Sequence, residues 1–192
     1  MSRKTSTPAS VPERAAHEAV EIVASDPAWP AAFAAEEAEL RRLLPAEWIG
    51  RIEHFGSTAV PGLAAKPIID ILLEVPSLET VAERIAPVLT GEGYEYFWRA
   101  KDPGRPGVDY AWFIRRDALG RRTHHIHCLP PQDEGWERLL FRDYLRSHPA
   151  LAAEYGALKQ RLAERAGEDR RAYAEGKSAF IERVMKMARQ QR

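Results

Sequence analysis

Between Pro67 and Val75 the chain reads Pro-Ile-Ile-Asp-Ile-Leu-Leu-Glu-Val, an apolar run with one acid, Asp70, set near its start. A run this short and this apolar is expected as a central strand covered on both faces. A carboxylate inside such a strand is costly to bury unless it is paired, hydrogen-bonded or bound to a metal. A second strand expected over residues 51–55 ends in Gly56-Ser57-Thr58, and residues 56–66, with Pro61-Gly62, form the loop between the two strands. The Gly-Ser step suits a phosphate-cradling turn: glycine admits unusual backbone angles, and serine adds a hydroxyl donor.

Strand geometry limits what the acids can do. Asp70, Leu72 and Glu74 share one face, because alternate strand residues point the same way. Positions 70 and 72 lie roughly 7 Å apart, close enough to converge on one ion, whereas Asp70 and Glu74 lie roughly 13 Å apart. Glu74 therefore does not stand in for an acid at position 72, and it reads as a strand-end charge reaching solvent.

A second cluster is His124-His125-Ile126-His127. On a strand His125 and His127 face one side and His124 the other. A His-x-His pair suits metal or anion binding, since neutral imidazole ligates and imidazolium attracts anions. If its strand neighbours that of Asp70, the histidines complete a metal site with it. Lys66, Arg142, Lys159 and Lys177 are the cations expected near the chemistry, with Tyr173 and Lys177 on one helix face at i, i+4. Cys128 alternates with His127 and reads as a small core residue; as the only cysteine it excludes an intrachain disulfide and suits a reducing interior.

The rest of the chain supplies the frame. Residues 1–18 read as a disordered tail and 19–192 as a single domain. Short strands are expected at Glu21-Ile22-Val23 and over 94–100, and a hairpin over 109–116 and 122–129. Helices are expected over 27–44, capped by Asp26, and over 78–90, capped by Ser77 and stopped by Gly91 and Gly93. Residues 101–108 are a Pro- and Gly-rich loop. Beyond Gly135 the pattern turns helical, with three helices marked by Trp136 to Tyr144, by Pro149 to Leu162, and by Tyr173 to Val184. The fold class is α+β: a palm with a mixed or antiparallel sheet and a helical C-terminal third. Lys+Arg and Asp+Glu both number 28, which argues against a dedicated nucleic-acid binder. No apolar run approaches a membrane span and no signal peptide is visible, so a cytoplasmic protein is expected.

The stretch from His54 to Ile71 (His-Phe-Gly-Ser-Thr-Ala-Val-Pro-Gly-Leu-Ala-Ala-Lys-Pro-Ile-Ile-Asp-Ile) resembles the signature of the GrpB family of bacterial proteins. Asp26-Pro27-Ala28-Trp29, His125-Ile126-His127, Phe141 to Leu145, Tyr155 to Lys159 and Lys177 to Ile181 extend the resemblance over about residues 20–188. It implies a nucleotidyltransferase-like fold. The superfamily pattern of Gly-Ser followed by Asp-x-Asp maps onto Gly56, Ser57 and Asp70 and departs from it at Leu72. Taken with the residue reading above, Gly56, Ser57 and Thr58 are expected to hold phosphate, Arg142, Lys159, Tyr173 and Lys177 to bind ligand, Asp70 and Lys66 to be catalytic, and Mg²⁺ or Mn²⁺ to sit on Asp70 with His125 and His127. In some bacteria a similar domain is joined to dephospho-coenzyme A kinase. Three readings stay open at this point: metal-assisted nucleotidyl transfer, a non-catalytic module for a nucleotide or other phosphorylated ligand, and a hydrolase centred on the histidines.

Overall fold

The computed structural model of the chain describes residues 20–99, 109–167 and 169–191. The expected tail over residues 1–18 and the expected loop over 101–108 lie outside them. Helix α1, Trp29–Leu43, starts two residues later than expected: the Asp26 carboxylate accepts from the Ala28 N–H at 2.8 Å, making a turn ahead of the helix. The expected strand at Glu21-Ile22-Val23 shrinks to one bridge between Val23 and Ala65.

Five strands follow: β1 Ile52–Phe55, β2 Ile69–Glu74, β3 Glu95–Arg99, β4 Tyr110–Arg116 and β5 Arg122–Leu129. They form one mixed sheet in the order β1-β2-β5-β4-β3. Only β2 and β5 run parallel, and their register sets Asp70 opposite His125 and Leu72 opposite His127. Helix α2 runs from Leu78 to Gly91 and widens to π geometry over Val81–Ile85. Ser77 Oγ accepts from the Thr80 N–H at its start, as its position suggests.

One face of the sheet (Ile69, Ile71, Leu73, Phe113, Ile126 and Cys128) packs under α1 and α2 and is fully enclosed. This face hides one charge. Glu36 of α1 is 1% exposed, accepts from Tyr94 Oη at 2.7 Å and pairs with Arg115. Tyr94→Phe leaves a buried carboxylate short of one donor, and a loss of about 1.5–3 kcal/mol is expected in urea unfolding. A loss below 0.5 kcal/mol would mean that Arg115 alone satisfies Glu36.

The C-terminal part is helical: α3 Arg138–Ser147, α4 Pro149–Ala166, α5 Arg170–Glu175 and α6 Ser178–Gln190. The pattern from Tyr173 to Val184 reads as one helix, but the structure breaks it at Gly176-Lys177. Asp169 caps the first piece through the N–H groups of Arg171 and Ala172. A second core, with Val60, Leu63, Leu145, Tyr155, Phe180 and Val184, welds these helices to the loop after β1. That loop, the Asp70 face of the sheet and the C-terminal helices are thereby brought around one cleft. No helix among the described residues is long and apolar enough to cross a membrane.

Candidate functional site

The loop that opens the site is fixed from below. Gly56 turns the chain at φ +72°, and Ser57–Ala59 forms a single 3₁₀ turn. Thr58 Oγ1 donates to the Ile68 carbonyl at 3.2 Å, so the contact with His54 Nε2 at 3.0 Å has the imidazole as donor. Burial pushes the His54 imidazole down to about 4, which keeps it neutral in that role. Thr58 is thus committed to holding the loop, although its residue also borders the cleft.

Gly56 lies directly over Asp70. A β-carbon at Gly56 would stand 2.5 Å from Asp70 Oδ2, so only glycine lets the loop come this close to the carboxylate. Asp70 Oδ1 lies 3.3 Å from His125 Nδ1 and 3.8 Å from His127 Nε2. Burial raises the Asp70 carboxyl, but the two imidazoles beside it outweigh burial and hold it well below the usual carboxylate range. Burial takes His127 down to about 4, against the pull of Asp70. The trio at neutral pH is therefore an ionised carboxylate beside a neutral His127. His124 points to the other face, near Glu36, and Leu72, between the two acids of its strand, is completely buried.

Two residues that the sequence did not single out support His127. Tyr110 Oη hydrogen-bonds its Nδ1, and Arg138 Nη1 donates to the same Oη at 2.9 Å. Tyr110 is legible in retrospect, since the β4–β5 register pairs Trp112 with His127 and alternation places Tyr110 on that face. Arg138 carries no such signal, because its place depends on the path of the loop after β5.

Asp70, His125, Gly56, Ser57, Lys66, Lys159, Tyr173 and Lys177 all border a cleft of about 1290 Å³. Lys177 Nζ lies 4.5 Å from the centre of the Tyr173 ring and Lys66 Nζ 5.4 Å from it, although the helix is broken between Tyr173 and Lys177. Lys159 is 2% exposed, its Nζ lies 4.8 Å from the Tyr155 ring centre, and it has no hydrogen-bond partner among the described residues. Burial, with Lys177 and Lys66 nearby, lowers Lys159 to about 7. Burial lowers Lys177 as well, opposed by Asp70. Arg142 stands apart from these residues. It does not border the cleft; its guanidinium donates to Glu53 at 2.8 Å and to the His54 carbonyl at 2.9 Å, tying α3 to β1. Glu74, the other acid of β2, is 3.6 Å from Arg51.

These features define an α+β protein with a mixed five-stranded sheet, a helical C-terminal part, and a carboxylate–imidazole trio in a lysine-bordered cleft. A family model described as "GrpB protein" matches residues 19–187, and the chain belongs to the GrpB family. A UPF0157 protein of Pseudomonas aeruginosa is 44% identical over 168 residues, which are 86% of this chain and 66% of that protein. The crystal structure of conserved protein GrpB from Enterococcus faecalis superposes with a TM-score of 0.75 at 35% identity, covering 89% of this chain and 98% of the other. A protein named dephospho-CoA kinase in Mycolicibacterium paratuberculosis is 32% identical over 183 residues, 84% of this chain and 44% of that one. The chain thus spans just under two thirds of the Pseudomonas relative and less than half of the mycobacterial one.

Proposed function

We propose that the cleft binds a nucleotide or another small phosphorylated molecule beside one divalent cation, and that the protein works as a nucleotidyltransferase-like protein of the cytoplasm. The observation that carries this is the convergence of Lys66, Lys159 and Lys177 on the cleft into which the Gly56-Ser57 turn opens. Lys66 and Lys177 both lie over the Tyr173 ring and near Lys159, which is buried with no hydrogen-bond partner among the described residues. A phosphate group would supply an anion and the charge-assisted hydrogen bonds that Lys159 lacks. The region shared with a dephospho-CoA kinase agrees with nucleotide or coenzyme chemistry.

The nucleotidyltransferase resemblance implies Mg²⁺ or Mn²⁺. Asp70, His125 and His127 offer three donors within 4.8 Å of one another, so an ion fits, and imidazole donors suit Mn²⁺ better than Mg²⁺. A bound ion would neutralise phosphate charge and polarise a phosphoryl oxygen. Leu72, fully buried where a second carboxylate is usual, offers no oxygen donor for a second ion. The protein's own contribution is positioning: Gly56 admits the phosphate close to Asp70, and the lysines stabilise charge on the non-reacting oxygens. The loss at Leu72 also favours a second reading, a binding module without turnover.

Calorimetric titration of the full chain with ATP, GTP, CTP and UTP in Mn²⁺ is the test. Binding that weakens at least about tenfold, or 1.4 kcal/mol, in Lys66→Ala/Lys177→Ala is the expected result. No binding of any nucleotide, of pyrophosphate or of coenzyme A would overturn the proposal. A nucleotide bound but never consumed selects the second reading.

A further inference from the structure

The spacing of the trio says more about the ion than the fold resemblance does. The two contacts of Asp70 Oδ1, 3.3 Å to His125 Nδ1 and 3.8 Å to His127 Nε2, are longer than a normal N–H···O hydrogen bond of about 2.7–3.2 Å. Two ligands each roughly 2.0–2.1 Å from a tetrahedral ion stand about 3.3–3.4 Å apart. Around an octahedral Mg²⁺ at similar bond lengths, neighbouring ligands stand about 2.9 Å apart. The observed separations match the first arrangement at one of the three edges, Asp70 to His125, and need a closing movement at Asp70 to His127, while the three ligand atoms all lie within 4.8 Å of one another. The donor types agree. Mg²⁺ takes oxygen ligands, whereas two imidazoles and one carboxylate are a zinc-type set.

We propose that Asp70, His125 and His127 form a three-donor site for a tetrahedral transition-metal ion of the zinc class, not for Mg²⁺. Three protein donors are the number that catalytic zinc sites use, with a further position left for a ligand. Here that position opens on the cleft, which Asp70 and His125 both border. Leu72 fits the same picture: it sets a fully buried apolar group opposite His127, where a second oxygen donor would have favoured a harder ion. To ligate through Nε2, His127 keeps its proton on Nδ1, and that N–H donates a hydrogen bond to Tyr110 Oη. That oxygen also receives Arg138 Nη1 and has a lone pair for each. Tyr110 and Arg138 are then positioning residues that fix the ring and its tautomer, the usual support of a metal-bound histidine. The inference shares residues with the phosphate reading but not its ligand, so the two fail separately.

The test uses the full chain, stripped with a chelator and dialysed. Titration with Zn²⁺ is expected to fill one site at least about a hundredfold more tightly than Mg²⁺. Co²⁺ at the same site is expected to show the intense visible absorption of tetrahedral coordination. Asp70→Asn and His127→Gln should each abolish both signals, and Tyr110→Phe should weaken Zn²⁺ binding by roughly 10–100-fold while the Co²⁺ spectrum persists. Thermal unfolding without metal establishes that each variant is folded. If Asp70→Asn fails to fold, His127→Gln and the cobalt spectrum decide. Zn²⁺ binding unchanged in His127→Gln, an octahedral cobalt spectrum, or Mg²⁺ bound as tightly as Zn²⁺ would each overturn the proposal.

Discussion

Gly56→Ala is expected to destabilise the protein by about 2–6 kcal/mol and to disable the site in the molecules that still fold. Two costs combine. At φ +72° and ψ −172° the backbone lies in a region essentially reserved for glycine, and an L side chain there is strained by roughly 1–3 kcal/mol. The new methyl would also stand 2.5 Å from Asp70 Oδ2, 2.9 Å from its Cβ and 3.1 Å from its Cγ. The carboxylate oxygen can swing aside, though only by leaving His125. The Cβ cannot, because it moves with β2, which is hydrogen-bonded to β1 and β5 on its two sides. Overpacking of this kind adds about 1–3 kcal/mol. Gly62 supplies the control: its φ is +76°, yet nothing lies within 4 Å of a β-carbon there. Gly62→Ala should show the strain alone. Urea unfolding of both variants separates the terms. Equal losses at the two positions would mean that Gly56 serves the turn and not the approach to Asp70.

The parts of this molecule that sequence makes visible are those with a local cause. The apolar run from Pro67 to Val75 announces β2 because a strand covered on both faces needs no alternation. The β4–β5 hairpin is visible because Asp117 can close its turn, accepting from the N–H groups of Leu119 and Arg121, while Gly120 takes φ +76°. The meeting of Asp70 with His125 has no local cause. It depends on β5 returning past β3 and β4 to lie parallel beside β2, an adjacency that the sequence leaves open. Arg142 shows the opposite limit. Its charge is evident in the sequence, and so is a neighbouring partner, Asp143, but Glu53 lies 89 residues away, and that distant partner makes it a clamp between α3 and β1. Gly176 marks the break before α6, yet the apolar spacing runs straight through it, so periodicity alone joins two helices that the chain separates.

Lys159→Met is expected to stabilise the unliganded protein by about 3–5 kcal/mol at pH 6 and by less than half of that at pH 9. The sign follows from proton counting. Lys159 binds its proton more weakly folded than unfolded, at about 7 against an ordinary 10.5, because burial and two neighbouring cations oppose the charge. Below about pH 7 both states are protonated and the folded state bears the whole penalty. Between 7 and 10.5 the unfolded chain holds the extra proton, so folding releases one and stability rises with pH. The displacement bounds the penalty at roughly 5 kcal/mol. Methionine has a similar length and no charge, so the variant sheds the penalty while keeping most of the packing around Tyr155. A stability difference that is the same at pH 6 and pH 9 would show that Lys159 is not depressed. A natural chain that keeps so costly a lysine should recover the cost when it binds. Phosphate beside Nζ would restore the ammonium and take up a proton, so nucleotide should raise the unfolding midpoint of the wild type far more than that of Lys159→Met. Stability gained and ligand response lost in one substitution is the signature of a binding residue; a gain with ligand response intact would reduce Lys159 to a packing flaw.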